Sequence, residues 1–285
     1  MRSGVVGLMP RHAREVSSET AARLRAHGFT GVSVIIPDPL EASPDEYRRA
    51  GRVLRDGGIA VAQANARYEV LIHPDEGRRT LGIRGLQAAC QVAAWLGAET
   101  IYVRPGSLNP AGPWTPHPEN THLRTLSRLV DSLRQAVKAA EDVGIPLAIE
   151  GGAVSPLDTP ERVRDVIEAV GSPMLRFNAD PVNFVRSLDE LYNTTSLIHR
   201  LFDLCGAFTV CAHAKDLTVE DALLPRMSEC LLGEGFCDQV TFLRRFEECC
   251  PDGFVLIEHL PDERIPTAKR NLDEAARKAG LSWRQ

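Results

Sequence analysis

A chain of 285 residues, 44% of them hydrophobic and with a net charge of −5, can bury a large core but lacks the cationic balance of a nucleic-acid binder. Its arginine pairs (Arg48-Arg49, Arg78-Arg79, Arg244-Arg245) fall on helical patterns, as solvated faces do. No apolar run approaches the ~20 residues of a membrane-spanning helix, and seven cysteines without a C-x-x-C pair imply reduced thiols and a cytoplasmic setting.

Strand-like and helix-like segments then alternate from one end of the chain to the other. A first apolar run at 5–9 reads as a strand and is followed by a helix at 17–27, which Gly28 closes. The strand at 31–36 leads to a helix at 44–56, opened by Ser43-Pro44. Strands at 59–66 and 100–105 precede helices at 76–96 and 118–143, which Gly97 and Gly144 terminate. The strand at 146–150 is followed by a helix at 160–170, framed by Thr159-Pro160 and Gly171. The remaining strands, at 175–180, 208–213 and 254–258, alternate with helices at 188–204, 238–249 and 262–279. All the strands are short, rich in Val, Ile and Leu and not strictly alternating, the pattern of parallel strands covered on the outside.

Eight strand–helix pairs joined by right-handed crossovers predict a (β/α)8 TIM barrel, an α/β fold, as a single domain over residues 1–285. An open doubly wound sheet would place a Gly-rich phosphate turn after its first strand, and Met9-Pro10-Arg11-His12 is no such turn. The longest loops, 105–118 and 217–235, both fall on the strand C-terminal side, where barrel active sites are built.

Four successive strands of the second half end in a metal-type ligand: Glu150, Asp180, His213 and Glu258. Any one of these alone reads as an ordinary strand-end polar group in a salt bridge. Four in succession require that explanation four times, whereas one divalent cation accounts for them together. Alternation supports this. Thr209, Cys211, His213 and Lys215 share one face of their strand, and Arg176, Asn178 and Asp180 share one face of theirs. Oxygen and imidazole donors suit a divalent metal ion, Mn²⁺ foremost, with Mg²⁺, Co²⁺ or Zn²⁺ also compatible.

The stretches Ile149-Glu150-Gly151-Gly152, Phe177-Asn178-Ala179-Asp180-Pro181-Val182-Asn183, Ala212-His213-Ala214-Lys215-Asp216, Leu232-Gly233-Glu234-Gly235 and Ile257-Glu258-His259 resemble the sugar phosphate isomerase/epimerase superfamily, also called xylose isomerase-like. The resemblance is closest over the last four strands. It implies a TIM barrel with Glu150, Asp180, His213 and Glu258 as metal ligands. It also implies that Glu150 and Glu258 act as catalytic acid and base, forming an enediolate from a small sugar or keto-polyol. Ketose 3-epimerases of this type often carry His three residues after the Asp ligand, where Asn183 stands here, and Arg soon after the His ligand, where Lys215-Asp216 follows. The H-x-K-D pattern leans toward inosose dehydratase-like branches. There the same proton abstraction ends in loss of water, and in a related branch it ends in cleavage of a C-glycoside of a 3-keto sugar.

Around the four ligands, Lys215, Asn183, Arg104 and Asn65 are candidate substrate-binding residues, with structural ion pairs or loop capping as their alternatives. Gln63 and Arg67 end the same strand as Asn65 and share its candidacy. Trp114, in a Pro-rich loop, can cover a sugar ring or pack on the barrel rim, while Trp95 reads as core. Asp216 and Glu234 read as loop-shaping residues, and alternation predicts that His259 faces away from the barrel axis. The expected partner is a small-molecule sugar, without nucleic acid or membrane, and a homo-oligomer is compatible with the chain. An endonuclease IV-like repair enzyme would need further His and carboxylate ligands at strand ends, which this chain lacks. A barrel that only binds ligand has no use for a complete ligand set.

Overall fold

The computed structural model describes residues 1–284. Its strands are β1 (Arg2–Val5), β2 (Gly31–Ile36), β3 (Ala60–Ala66), β4 (Ile101–Val103), β5 (Leu147–Ile149), β6 (Leu175–Ala179), β7 (Thr209–Ala214), β8 (Asp216–Val219), β9 (Met227–Cys230) and β10 (Phe254–Ile257). Eight of them close into a parallel barrel in the ring order β1-β10-β7-β6-β5-β4-β3-β2, while β8 and β9 form a separate antiparallel hairpin. Outside the barrel lie α1 (Ser18–Ala26), α2 (Pro44–Asp56), α3 (Glu76–Leu96), α4 (Leu123–Val143), α5 (Pro160–Val170), α6 (Leu188–Tyr192), α7 (Thr194–Cys205), α8 (Gln239–Cys249) and α9 (Ile265–Ala279). The TIM barrel expected from the alternating pattern is therefore the fold of the chain. No helix among the described residues is long and apolar enough to cross a membrane, and all seven cysteines are free thiols.

Local sequence sets the element boundaries. Ser17 and Thr20 form a capping box on α1, Asp75 accepts from the Arg78 amide at 2.8 Å to start α3, and Thr159 caps α5 ahead of Pro160. Gly97, Gly144, Gly171 and Gly280 end α3, α4, α5 and α9 in the left-handed region, where a side chain is disfavoured.

Several boundaries differ from the sequence reading: α4 starts at Leu123 rather than at 118, and β4 covers Ile101–Val103 rather than 100–105. β1 lies at Arg2–Val5 rather than at 5–9, because Gly7 and Leu8 (φ 56°) turn the chain out of the ladder after it has paired Arg2 with Phe254. The helix expected at 188–204 is broken at Asn193, whose φ of −122° is not helical. The segment at 217–235, expected as a loop, contains the β8–β9 hairpin.

The barrel interior shows how the site is raised to one end. On β10 the inward positions Phe254, Leu256 and Glu258 rise in that order, so two apolar side chains fill the lower barrel beneath a carboxylate. Room for them comes from glycine on β1 and β2. A Cβ on Gly31 would lie 2.2 Å from the Phe254 ring, and one on Gly4 would lie 2.3 Å from a Leu256 methyl. Helices supply the outer layer, with Leu24, Leu54, Leu86, Leu133 and Phe242 buried against the strands.

Candidate active site

Each of the four expected ligands stands at the top of its strand. Glu150 follows β5, Asp180 follows β6, His213 is the penultimate residue of β7 and Glu258 follows β10. All four are buried, with Asp180 and His213 at 0% exposure. One ligand atom from each lies within 4.8 Å of every other, an arrangement that could hold a metal ion. His213 Nδ1 is 2.9 Å from Glu150 Oε1 and 3.1 Å from Glu258 Oε2.

The donor atoms at the centre are close without being hydrogen-bonded. Both oxygens of Asp180, His213 Nδ1 and Glu258 Oε2 are buried and make no hydrogen bond of acceptable geometry. One ammonium, Lys215 Nζ, lies 2.7 Å from Asp180 Oδ2 and 3.3 Å from Glu258 Oε2 and offsets only part of the cost of burying these groups. Several of them converging on one point is the condition a divalent cation relieves, and the hard oxygen donors with one imidazole fit such an ion.

Side-chain relays behind the ligands fix their orientation. Glu150 accepts a hydrogen bond at 2.8 Å from the Tyr102 hydroxyl and another at 2.8 Å from Asn178 Nδ2. Because a carboxylate only accepts, Asn178 must turn its amide nitrogen to Glu150 and its oxygen to Gln63 Nε2, at 3.2 Å. Gln63 then presents Oε1 to His213 Nε2, also at 3.2 Å, so His213 donates from Nε2. In the neutral ring the lone pair is thereby left on Nδ1, the atom facing the carboxylates.

Electrostatics follow from burial and crowding. Burial opposes charge on His213, but Glu258 and Glu150 outweigh it and raise the imidazole to about 10. Burial pushes Asp180 up to about 7 against the pull of Lys215. Glu258 is held well below the usual carboxylate range, since His213 and Lys215 overcome its burial. Burial and the nearby Glu150 raise the Tyr102 hydroxyl well above its ordinary value.

The remaining candidates fall into two groups. Lys215 lies inside the site, its Nζ 2.7 Å from Asp180 and 3.3 Å from Glu258, and donates at 2.9 Å to Asn183 Oδ1. Lys215, Asn183, Glu150, Trp114 and Tyr102 line a cavity of about 280 Å³ above the ligands. Arg104 and Asn65 do not line that cavity. They line an adjoining cavity of about 480 Å³, which Glu258, Tyr102 and Trp114 also border, and Arg104 Nη1 is 3.4 Å from Asn65 Oδ1. Asp216 shapes the loop as expected: its carboxylate accepts from the amides of Leu217, Gly233, Gly235 and Cys237 at 2.9–3.1 Å. Glu234 is exposed, and Trp95 packs at the edge of the core beneath Arg48.

His259 departs from the expectation. It adopts φ 57°, which breaks the strand alternation and turns the ring toward the mouth rather than away from it. There Nδ1 is 2.9 Å from Glu229 of the hairpin, and both residues line the first cavity. Glu229, Tyr102 and Asn178 are participants that the sequence reading did not assign. The Tyr102 phenol, on the inward face it shares with Arg104, carried a usable signal, because a buried hydroxyl needs a partner. Glu229 carried none, since it reaches the site only through the hairpin fold.

Three comparisons place this geometry. A family model described as xylose isomerase-like TIM barrel matches residues 21–283. A comparison with curated proteins finds no sequence match. Among solved structures, a xylose isomerase domain protein from Planctomyces limnophilus aligns at 19% identity and a TM-score of 0.74, over 98% of each chain. A D-psicose 3-epimerase from Clostridium cellulolyticum H10, solved with D-tagatose, aligns at 14% identity and a TM-score of 0.72, covering 99% of this chain and 100% of that one. A xylose isomerase-like TIM barrel protein from Mycobacterium smegmatis, in complex with magnesium, aligns at 16% identity and a TM-score of 0.69, covering 91% of this chain and 87% of that one.

Proposed function

Because the chain belongs to the xylose isomerase-like TIM barrel family, matched over residues 21–283, we propose that it is a divalent-metal-dependent isomerase or epimerase acting on a small sugar or keto-polyol. The observation that carries this reading is the convergence of Glu150, Asp180, His213 and Glu258, all buried, with one ligand atom from each within 4.8 Å of every other. These four residues would hold the ion, with Mn²⁺ the first choice and Mg²⁺, Co²⁺ or Zn²⁺ compatible with the same donors. Such an ion supplies polarisation of a substrate carbonyl, which acidifies the neighbouring C–H.

Glu150 and Glu258 are then the acid/base pair. They flank His213 from strands that β6 and β7 separate in the ring, so they approach a bound sugar from two sides. One takes the proton beside the carbonyl and the other returns a proton to the opposite face. Tyr102 and Asn178 hold Glu150 in place, and Lys215 balances charge at Glu258 and Asp180. Trp114, Asn183 and Lys215 border the space where the sugar would lie. A structural neighbour solved with D-tagatose supports the substrate class.

Proton exchange followed by NMR in deuterated water, with metal-reconstituted protein and a panel of ketoses, aldoses, inososes and 3-keto sugars, tests the reading. Deuterium incorporation with a new epimer or an aldose–ketose product is expected, and chelation should abolish it. Glu150→Gln and Glu258→Gln should each lower turnover by about 10²–10⁴-fold. Near-wild-type turnover in both variants would sink the assignment, and loss of water or of an aglycone would place the chemistry in the elimination branch.

A further inference from the structure

The acidic side of the mouth is internally matched, and the opposite side is not. Lys215 pairs with Asp180 and Glu258, and Glu229 pairs with His259. Across the opening, at the ends of β3 and β4, stand Arg67 and Arg104, both lining the 480 Å³ cavity that also reaches Glu258. Neither has a carboxylate within salt-bridge distance among the described residues.

Arg104 is held in place without being neutralised. Its Nη2 donates to the Ala66 carbonyl at 2.9 Å, and its guanidinium carbon lies 5.0 Å from the centre of the Tyr68 ring. The Tyr68 hydroxyl in turn accepts from the Arg104 amide at 2.9 Å, locking ring and arginine together. A guanidinium offers five N–H donors, and the Ala66 and Asn65 contacts use at most two of them. A half-buried, pre-oriented fork with spare donors and no counter-charge is what bidentate recognition of an oxyanion requires. Arg67, exposed beside it, also borders a further cleft of about 280 Å³ that holds Arg11, another arginine without an ion pair among the described residues.

We infer that the substrate carries an anionic group, a carboxylate or a phosphate, which Arg104 and Arg67 hold at the end of the cavity away from Asp180 and His213. The inference rests on the reading of the site as a sugar site and narrows its substrate to an anionic sugar. The two arginines also attract that substrate along the mouth before it reaches the buried carboxylates, an effect that weakens with salt.

Isothermal titration calorimetry of metal-reconstituted protein with D-fructose, D-fructose 6-phosphate and D-fructuronate separates the possibilities, since the three differ at the distal carbon. At least one anion should bind roughly tenfold or more tightly than D-fructose. That preference should disappear in Arg104→Met, shrink in Arg67→Gln and fade as ionic strength rises. The tighter of the two anions identifies phosphate or carboxylate as the natural group. Equal or weaker binding of both anions, no binding by any of the three, or a preference unchanged in both variants would overturn the inference. Anion preference without proton exchange leaves it standing and removes the proposed reaction, whereas exchange on D-fructose without anion preference does the reverse.

Discussion

Gln63 illustrates how much of the site depends on residues behind the ligands. Its amide is turned by Asn178, which Glu150 turns, so a carboxylate that can only accept sets the tautomer of an imidazole three residues along the relay. Gln63→Leu keeps the bulk and removes the hydrogen bonds of the Gln63 amide, leaving His213 Nε2, Asn178 Oδ1 and Ser33 Oγ without that partner in a buried setting. Metal affinity is expected to fall about 10–100-fold, measured by competition with a chromophoric chelator. Affinity unchanged in this variant would mean that the relay does not orient His213. The sequence places Tyr102 and Asn178 on inward faces of their strands but does not pair either with Glu150. Their importance comes from a 2.8 Å contact across neighbouring strands, which no spacing along the chain encodes.

At the scale of elements, close approaches set the geometry. Gly51 in α2 faces the end of α3, where an added Cβ would lie 2.3 Å from the Leu96 carbonyl oxygen. Gly51→Ala gains helix propensity of about 1 kcal/mol, but the obstacle is backbone and cannot swing aside. A net loss of about 1–3 kcal/mol is expected, read as a lower denaturation midpoint with an unchanged slope; a rise in midpoint would show that α2 and α3 can part without loss. The hairpin offers a second case. Asp216 gathers four amides from Leu217, Gly233, Gly235 and Cys237, and Gly235 is so close that its Cβ would meet the Asp216 carboxylate at 2.3 Å. Asp216→Asn replaces one acceptor oxygen by a donor facing N–H groups. Limited proteolysis should then cut within 217–237 several-fold faster while the barrel stays resistant, and protection equal to wild type would show that the carboxylate is dispensable. The hairpin, in turn, is what carries Glu229 over the mouth to meet His259.

For the molecule as a whole, the buried cluster ties stability to pH and, on the proposed reading, to a bound metal ion. In metal-free protein, Asp180 and His213 titrate above their ordinary values, near 7 and near 10. Their contributions are therefore fully present below about 3.9 and 6.5, the unfolded values, and are lost as pH rises through about 7 and then about 10. Glu258 is depressed, so its contribution is present above about 4.3 and lost as pH falls further. A divalent cation must displace the protons from Asp180 and His213, so its affinity rises over the same interval in which the metal-free protein weakens. The melting-temperature gap between loaded and stripped protein should widen from pH 6 to pH 9, reaching about 2.7 kcal/mol of added stability at a hundredfold excess over Kd. A gap independent of pH would mean that the cluster does not bind the ion through these groups.

The strand–helix alternation, the capping residues and the four strand-end polar residues that cluster at the barrel mouth were legible along the chain because each rests on local rules: hydrophobic period, cap chemistry, and a polar or charged residue at the end of a buried run. Those rules were enough for a TIM barrel and for naming Glu150, Asp180, His213 and Glu258. What alternation could not reach was any position where the backbone leaves the strand. His259 turns into the mouth through a left-handed φ, Leu8 turns β1 out of register with its apolar run, and Asn193 breaks a helix that reads as continuous. The distribution of unpaired charge was equally hidden. Only closure of the ring brings Lys215 to its carboxylates while leaving Arg104 and Arg67 without any, since which charges meet depends on distances between strands far apart in sequence.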